Sequence, residues 1–242
     1  TANQRIHGPD YPHYLTSEWA APYRQQRIEQ LLEATPRHDR ESLAAIQADV
    51  LSLGAQALLP RLKAARSEHA LAPKVAPLLA AFDGEMAADA PMPALFHAWV
   101  RHLTERVLAD ELGPLWGSQF GNNRSFRDAI ERILARDDAW WCDDKRSAGV
   151  TETCAAHVDA ALGDALEELR QRLGDDPAAW RWGEVHAARA EHRPFSRVKA
   201  LAGFFELRVP VPGDTHTVNV SRVNQLPDAT TGERYLTEHG PS

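Results

Sequence analysis

The chain has few cysteines: its 242 residues contain two, Cys142 and Cys154. No CxxC pair and no cysteine–histidine set at zinc-ligand spacing occurs, so a structural zinc site is not expected. Two inert thiols in a reducing compartment and one disulfide in an exported protein both fit this number. The polar stretch between the two positions suits an exposed loop closed by one bridge, but cysteine content alone leaves the compartment open.

Long apolar runs and an excess of positive charge are also missing. No apolar run approaches the roughly 20 residues of a membrane-spanning helix, and the net charge is −7. Neither a membrane segment nor a basic surface for nucleic acid is therefore expected. The apolar fraction of 43% is close to the norm for globular proteins, which argues against wholesale disorder.

The familiar catalytic and nucleotide-binding motifs are absent: there is no GxSxG, no Walker pattern and no HExxH. Thr1 has the hydroxyl and α-amine of a terminal nucleophile, but a chain cut there for other reasons explains it more simply. The spacing of His186 and His192 does not place them on one helix face, so packing is favoured over metal binding. The paired charges are expected to be solvated loops, caps or surface charges: Asp143 with Asp144, Asp175 with Asp176, Arg24 with Arg27, and Lys145 with Arg146.

Hydrophobic periodicity predicts that most of residues 22–193 is helical. The first predicted helix runs from Pro22 to before Pro36, and the second runs from the cap Asp39 to Pro60 or bends there. A third covers 61–82, with a bend or break at Pro73 and Pro77. The remaining helices cover 93–112, 125–135 after a glycine-rich loop at 113–121, and 151–173 with Thr151 and Gly174 as caps.

The pattern changes after Pro194. Alternating apolar residues predict strands over 204–212 and 215–223, joined by a hairpin turn at Gly213–Asp214. The sequence thus divides into a strand end that runs into a loop (1–21), a helical subdomain (22–193) and a β-rich part (194–242). The chain opens on Thr1 without a signal peptide and stops just past a Gly–Pro turn signal, so we expect a segment of a longer protein.

Several motifs together resemble the middle of the β-subunit of the penicillin acylase family of N-terminal-nucleophile hydrolases. The first 32 residues are the most specific part of this resemblance. The matching stretches are Thr1–Ile6, Asp10–Pro12, Trp19, Tyr23–Ile28, Leu31–Leu32, Ala45–Asp49, Trp180–Gly183 with His186 and His192, Gly213–Thr215, Thr217–Asn219 and Gly240–Ser242.

The resemblance implies a mainly α fold with a small β-ribbon near the C-terminus, as one segment of an αββα N-terminal-nucleophile hydrolase. The full enzyme would be a heterodimer cut from one precursor. Its nucleophile, a Ser, Cys or Thr, would lie upstream of Thr1. It would cleave an N-acyl amide through an acyl-enzyme, on a β-lactam side chain, an acyl-homoserine lactone or a similar small molecule. The partners of this segment would be the α-subunit and the rest of the β-subunit, and alone it would be inactive.

The resemblance also assigns two functional residues. Asn3 matches the family's oxyanion-hole Asn, and Arg24 matches its active-site Arg. No cofactor or metal is expected in this chain. One calcium ligand of some family members would fall near His13 or Tyr14, where this chain has different residues from those members. Calcium bound elsewhere in the full-length enzyme is compatible with this expectation.

Members of the family are commonly exported to the periplasm, which favours a disulfide between Cys142 and Cys154. The alternative is a stand-alone helical binding or scaffold domain, in which Asn3 and Arg24 are surface residues without a catalytic role.

Overall fold

The computed structural model describes residues 1–16, 18–119, 125–192, 194–227 and 232–237. These residues form a mainly helical fold with one small antiparallel sheet, which confirms the mainly α part of the predicted fold. The expected motif at Gly240–Ser242 and the end of the glycine-rich loop at Gly121 lie outside the described residues. The helices are α1 (Tyr23–Glu33), α2 (Arg40–Gln47), α3 (Leu53–Ala64), α4 (Ala72–Ala81), α5 (Met92–Leu112), α6 (Trp116–Gln119), α7 (Ser125–Arg136), α8 (Cys154–Leu173), α9 (Trp182–Val185) and α10 (Lys199–Phe205).

The centre of the fold is the packing of α5 against α8. Helix α5 is apolar around most of its circumference and is buried along most of its length, as a core helix should be. The indole of Trp99 is fully buried and donates from Nε1 to the backbone oxygen of Val158 at 3.1 Å. Each such large side chain contributes about 2 kcal/mol through its removal from water, so this helix pair is the scaffold on which the other helices are placed.

The prediction of one helix from Asp39 to Pro60 is wrong. Helix α2 begins at a capping box between Asp39 and Ser42 and ends at Gln47. The chain then runs antiparallel to residues 84–86, with the amide of Met86 donating to the oxygen of Val50 at 2.9 Å. Ser52 starts α3 by accepting a hydrogen bond from the amide of Ala55. Pairing with residues 84–86, which are distant in sequence, therefore interrupts the predicted helix between α2 and α3.

Prolines have less effect on the helices than expected. Pro60 lies inside α3 and Pro77 lies inside α4, and neither ends its helix. The break expected in 61–82 falls between Ala64 and Ala72, just before Pro73, which occupies the first turn of α4. The stretch after Gly113 is also more ordered than a loop, because a 3-10 helix at Gly113–Leu115 leads into α6.

A disulfide joins Cys142 to Cys154, with 4.9 Å between their Cα atoms. Both side chains are buried, so the bridge fastens the loop before α8 to the core. The predicted N-cap of α8 is wrong by two residues: Thr153, not Thr151, accepts from the amide of Ala156. Gly174 ends the helix at a positive φ of 91°, as predicted.

The predicted hairpin at Gly213–Asp214 is wrong. Strand β1 (Ala187–Ala190) pairs antiparallel with β2 (Leu207–Pro210), and α10 lies between them in sequence. The stretch 215–223 contains no strand, because hydrogen bonds around Asp214 and Thr217 fold it into a compact turn. One strand therefore lies within the helical part of the sequence, where its run of alanines gives no β signal.

Candidate active site

The first turn of the chain presents the side chain of Asn3 to solvent. Asn3 has a φ of 69°, a conformation that Asn tolerates better than most residues. Its backbone oxygen accepts from the amide of Ala20 at 3.0 Å. The side chain of Gln4 accepts from the Thr1 hydroxyl at 3.1 Å and from the Ala2 amide at 2.8 Å. The backbone is thus held on both sides while the amide side chain remains exposed.

Arg24 reaches this turn from the first turn of α1. One of its terminal nitrogens, Nη2, donates to the backbone oxygen of Ala2 at 2.9 Å and to Oδ1 of Asn3 at 2.5 Å. A cation in the first turn opposes the helix dipole, and these two oxygen acceptors offset that cost. The structure therefore brings together the two residues that the sequence singled out, Asn3 and Arg24.

This contact fixes which way the Asn3 amide points. Because a guanidinium is only a donor, the oxygen of the amide must face Arg24 and the NH₂ group must face away. Among the described residues, Nδ2 of Asn3 has no acceptor. The geometry thus provides an oriented, positively polarised N–H group at the surface, which suits an acceptor that carries negative charge.

A second polar cluster, which the sequence analysis missed, lies beneath the same turn of α1. The Tyr23 hydroxyl donates to Glu131 at 2.5 Å, and Nε of Arg127 donates to the other oxygen of Glu131 at 3.0 Å. Arg127 also donates to the backbone oxygen of Gly54. The ring of His216 meets the Tyr23 ring edge-on at 5.5 Å, and burial lowers the pKa of His216 to about 4. The spacing of Arg127 and Glu131 on α7 is visible in sequence, but the tyrosine contact is not.

A comparison with known families finds a match over the whole chain. The penicillin amidase family model matches residues 1–242. The chain belongs to the penicillin amidase family.

Individual relatives of the penicillin amidase family are similar over most of the chain. Acyl-homoserine lactone acylase QuiP of Pseudomonas aeruginosa is 30% identical over 91% of the chain and 30% of its own length. Penicillin acylase 2 proenzyme of Pseudomonas sp. SE83 is 30% identical over 99% of the chain and 31% of its own length. QuiP of Pseudomonas putida is 31% identical over 78% of the chain and 25% of its own length. The chain therefore spans about 30% of the length of relatives such as these.

The two family-matched histidines are packing residues in the structure. His186 is fully buried, donates from Nδ1 to the backbone oxygen of Tyr235 at 2.5 Å and stacks on Trp182 at 4.4 Å. Burial lowers its pKa to about 4, so the ring is neutral near pH 7. His192 stacks on Phe195 at 5.0 Å. Both rings therefore pack against aromatic side chains, as expected from the sequence.

Most of the paired charges form ion pairs or a cap in loops, as expected, whereas Arg27 lies in a partly buried ion pair and is not a free surface charge. The loop between the two cysteines joins Lys145 to Asp143 at 2.7 Å and Arg146 to Asp144 at 2.8 Å. Asp176 caps a 3-10 helix at Pro177–Ala179, and Asp175 contacts Arg170 at 3.5 Å. Arg27 forms a two-pronged ion pair with Asp49, with contacts of 3.0 and 2.6 Å.

His13 and Tyr14 mark the place near which the resemblance puts a calcium ligand of some family members. His13 and Tyr14 are exposed, and the His13 ring packs edge-on against Tyr11 at 5.6 Å. In the part of the chain that the structure describes, no group of three or more His, Cys, Asp or Glu residues is arranged to bind a metal ion. The same residues include no helix with the length and apolar character needed to cross a bilayer.

Proposed function

We propose that this chain is part of an amidohydrolase that cleaves N-acyl amides through an acyl-enzyme. The observation that carries the proposal is the pairing of Asn3 with Arg24, which orients the Asn3 amide with its N–H groups outward. Membership of the penicillin amidase family supports the reaction class. In this proposal the chain is a segment of a larger αββα enzyme, and the nucleophile belongs to another part of the same precursor.

The contribution of Asn3 is made at the carbonyl oxygen of the substrate. When the nucleophile adds to the amide carbon, the C=O π electrons move to oxygen, and Nδ2 of Asn3 donates to the oxyanion that forms. When the carbonyl re-forms, the C–N bond breaks and the amine leaves with the proton that the nucleophile gave up; water then adds to the acyl-enzyme, releases the carboxylic acid and restores the nucleophile. A single oxyanion donor typically lowers the barrier by about 3 kcal/mol, because the hydrogen bond strengthens as the charge develops.

Arg24 contributes by position and charge. Its bond to Oδ1 prevents the Asn3 amide from rotating, so that no reorientation is needed when the oxyanion forms. Its bond to the Ala2 oxygen fixes the backbone of the same turn. Arg24 therefore prepares the donor before the substrate arrives, which is the condition under which electrostatic stabilisation is most effective.

The substrate class follows from the reaction and from the relatives. The relatives are named as an acyl-homoserine lactone acylase and a penicillin acylase. We propose a small N-acyl substrate of this kind, with no cofactor required. The partners are then the α-subunit and the remainder of the β-subunit, and the compartment is the periplasm, where the disulfide between Cys142 and Cys154 is stable.

The test is amide hydrolysis by the full-length protein after its natural processing. Purified protein is incubated with an N-acyl-homoserine lactone, an N-acyl amino acid and a penicillin, and the released amine is quantified. We expect release from at least one substrate and an acyl adduct on rapid quenching, whereas residues 1–242 alone remain inactive. Absence of release from all three would contradict the proposal and favour a binding or scaffold role.

A further inference from the structure

The first turn of α1 lacks the interactions that usually stabilise the N-terminus of a helix. Its N-cap residue, Pro22, makes no side-chain capping bond, the turn contains no acidic residue, and no residue of α1 is fully buried. The first N–H groups of a helix have no partners within it and fray without such support. Arg24 adds a cation at this position. Contacts with other elements, rather than a local cap, therefore hold the turn that carries Arg24.

The phenol of Tyr23 supplies that contact. Tyr23 is the first residue of α1 and immediately precedes Arg24. Its hydroxyl donates to Oε2 of Glu131 at 2.5 Å across 108 positions of sequence. Burial, together with this hydrogen bond, raises the pKa of Tyr23 and keeps the phenol a donor. The turn is thus tied to α7 rather than capped locally.

Glu131 is itself held from its other side. Its Oε1 accepts from Nε of Arg127 at 3.0 Å, and Arg127 donates to the backbone oxygen of Gly54 at the start of α3. The Arg127 guanidinium lies 5.6 Å from the centre of the Phe96 ring on α5. Since every member has a partner, the chain of contacts runs without a gap from the core helices to Tyr23.

We propose that Tyr23, Glu131 and Arg127 are positioning residues for the reaction, acting through Arg24. Side chains of adjacent helical residues point about 100° apart, so fixing Tyr23 against α7 fixes the direction in which Arg24 leaves the helix. A small rotation of the turn would break the bond from Arg24 to Asn3. This inference rests on the proposed function, because it needs Asn3 and Arg24 to serve catalysis.

The test is Tyr23→Phe in the processed full-length enzyme. Loss of the hydroxyl leaves the ring contact with His216 in place. We expect kcat to fall about tenfold while KM changes less than about twofold, because misplacement of an aligned group affects the transition state most. Glu131→Gln keeps an acceptor for the phenol, so its kcat should fall less than that of Glu131→Ala. Glu131→Gln also serves as the second variant if Tyr23→Phe is not processed.

Tyr235→Phe is the matched control. Its hydroxyl donates to Oε1 of Glu168 at 2.9 Å, and Glu168 pairs with Arg101 at 2.6 Å, so the same chemistry occurs at a site whose contacts, among the described residues, do not include α1. Both tyrosine variants should lower the melting temperature. Only Tyr23→Phe should lower kcat, whereas an equal fall in kcat for both would overturn the inference.

A double-mutant cycle separates action through Arg24 from any other effect. In an Arg24→Ala background, Tyr23→Phe should cause no further fall in kcat, because the residue that it positions is gone. A repeated fall of about tenfold in that background would overturn the inference. If Asn3→Ala kept full activity, the proposed function would be contradicted. If Asn3→Ala lost activity but Tyr23→Phe kept full activity, only the positioning role of Tyr23 would be contradicted.

Discussion

Nη2 of Arg24 donates to Oδ1 of Asn3 at 2.5 Å and to the backbone oxygen of Ala2 at 2.9 Å. One nitrogen therefore holds both the side chain and the backbone of the turn that presents Asn3. Because the amide oxygen is occupied from behind, the amide nitrogen is directed outward. The catalytic proposal depends on this relationship, and it can be tested from both residues.

The first prediction concerns the shape of the Arg24 cation. Arg24→Lys keeps the positive charge but replaces the planar guanidinium by a shorter group with one nitrogen. We expect kcat of the full-length enzyme to fall about tenfold or more, with a smaller change in KM. Arg106→Lys is the control, since Arg106 contacts Asp164 at 2.7 Å on the α5–α8 pair. Equal kcat values for Arg24→Lys and wild type would show that a charge suffices.

The second prediction concerns the disulfide. Closing a loop of this size stabilises a protein by about 3 kcal/mol in the chain-entropy description. Replacing Cys142 and Cys154 together by Ala should lower the melting temperature of the full-length protein without changing kcat; Ala avoids burying a new hydroxyl at either site. Alkylation of denatured protein, followed by mass spectrometry, should give no labelled cysteine in this segment before reduction. Labelling of both before reduction would contradict the bridge.

The third prediction concerns stability in acid. Burial lowers the pKa of His186 and His216 to about 4, below the ordinary value of 6.5. Between these pH values the unfolded chain binds protons that the folded chain does not. The contribution of the two histidines to folding stability is therefore complete above about pH 6.5 and is lost as the pH falls towards 4. The contribution of Glu111 to folding stability changes in the opposite direction. Burial raises its pKa to about 7, so this contribution is lost as the pH rises through 7.

The measurement is the melting temperature at pH 7 and pH 5. His186→Phe keeps a ring against Trp182 but removes one titrating group. It should lower the melting temperature at pH 7 and reduce the difference between the two pH values relative to wild type. An unchanged difference would show that His186 does not contribute to acid sensitivity.

The sequence predicted those elements whose signal is local. The range of α5 was nearly correct because its apolar residues recur at helical spacing over five turns. The break before Ser52 was missed because it depends on pairing with residues 84–86 and on a bond from Ser52 to Asp214, 162 positions away. The pairing of β1 with β2 was missed for the same reason, since neither its partner nor its register is written in the alanine-rich strand.

In the candidate site, too, some features were predictable from the sequence and others depend on tertiary packing. Asn3 and Arg24 were identified by family resemblance, and their separation in sequence gave no physical reason to expect contact. The support beneath them could not be anticipated, because Tyr23 meets Glu131 only after α1 and α7 have packed. The family resemblance thus indicated the donor, whereas tertiary structure determines how the donor is held.

The most direct test of the account is the turnover number of the full-length enzyme after removal of the Asn3 side chain. Ala at a φ of 69° introduces backbone strain, whereas Gly accepts this conformation, so Asn3→Gly and Asn3→Ala are measured together. We predict that both lower kcat by about 100- to 1000-fold, the usual loss for one oxyanion donor, with little change in KM. Wild-type kcat in a processed, folded Asn3→Gly enzyme would contradict the assignment of Asn3 as the oxyanion donor.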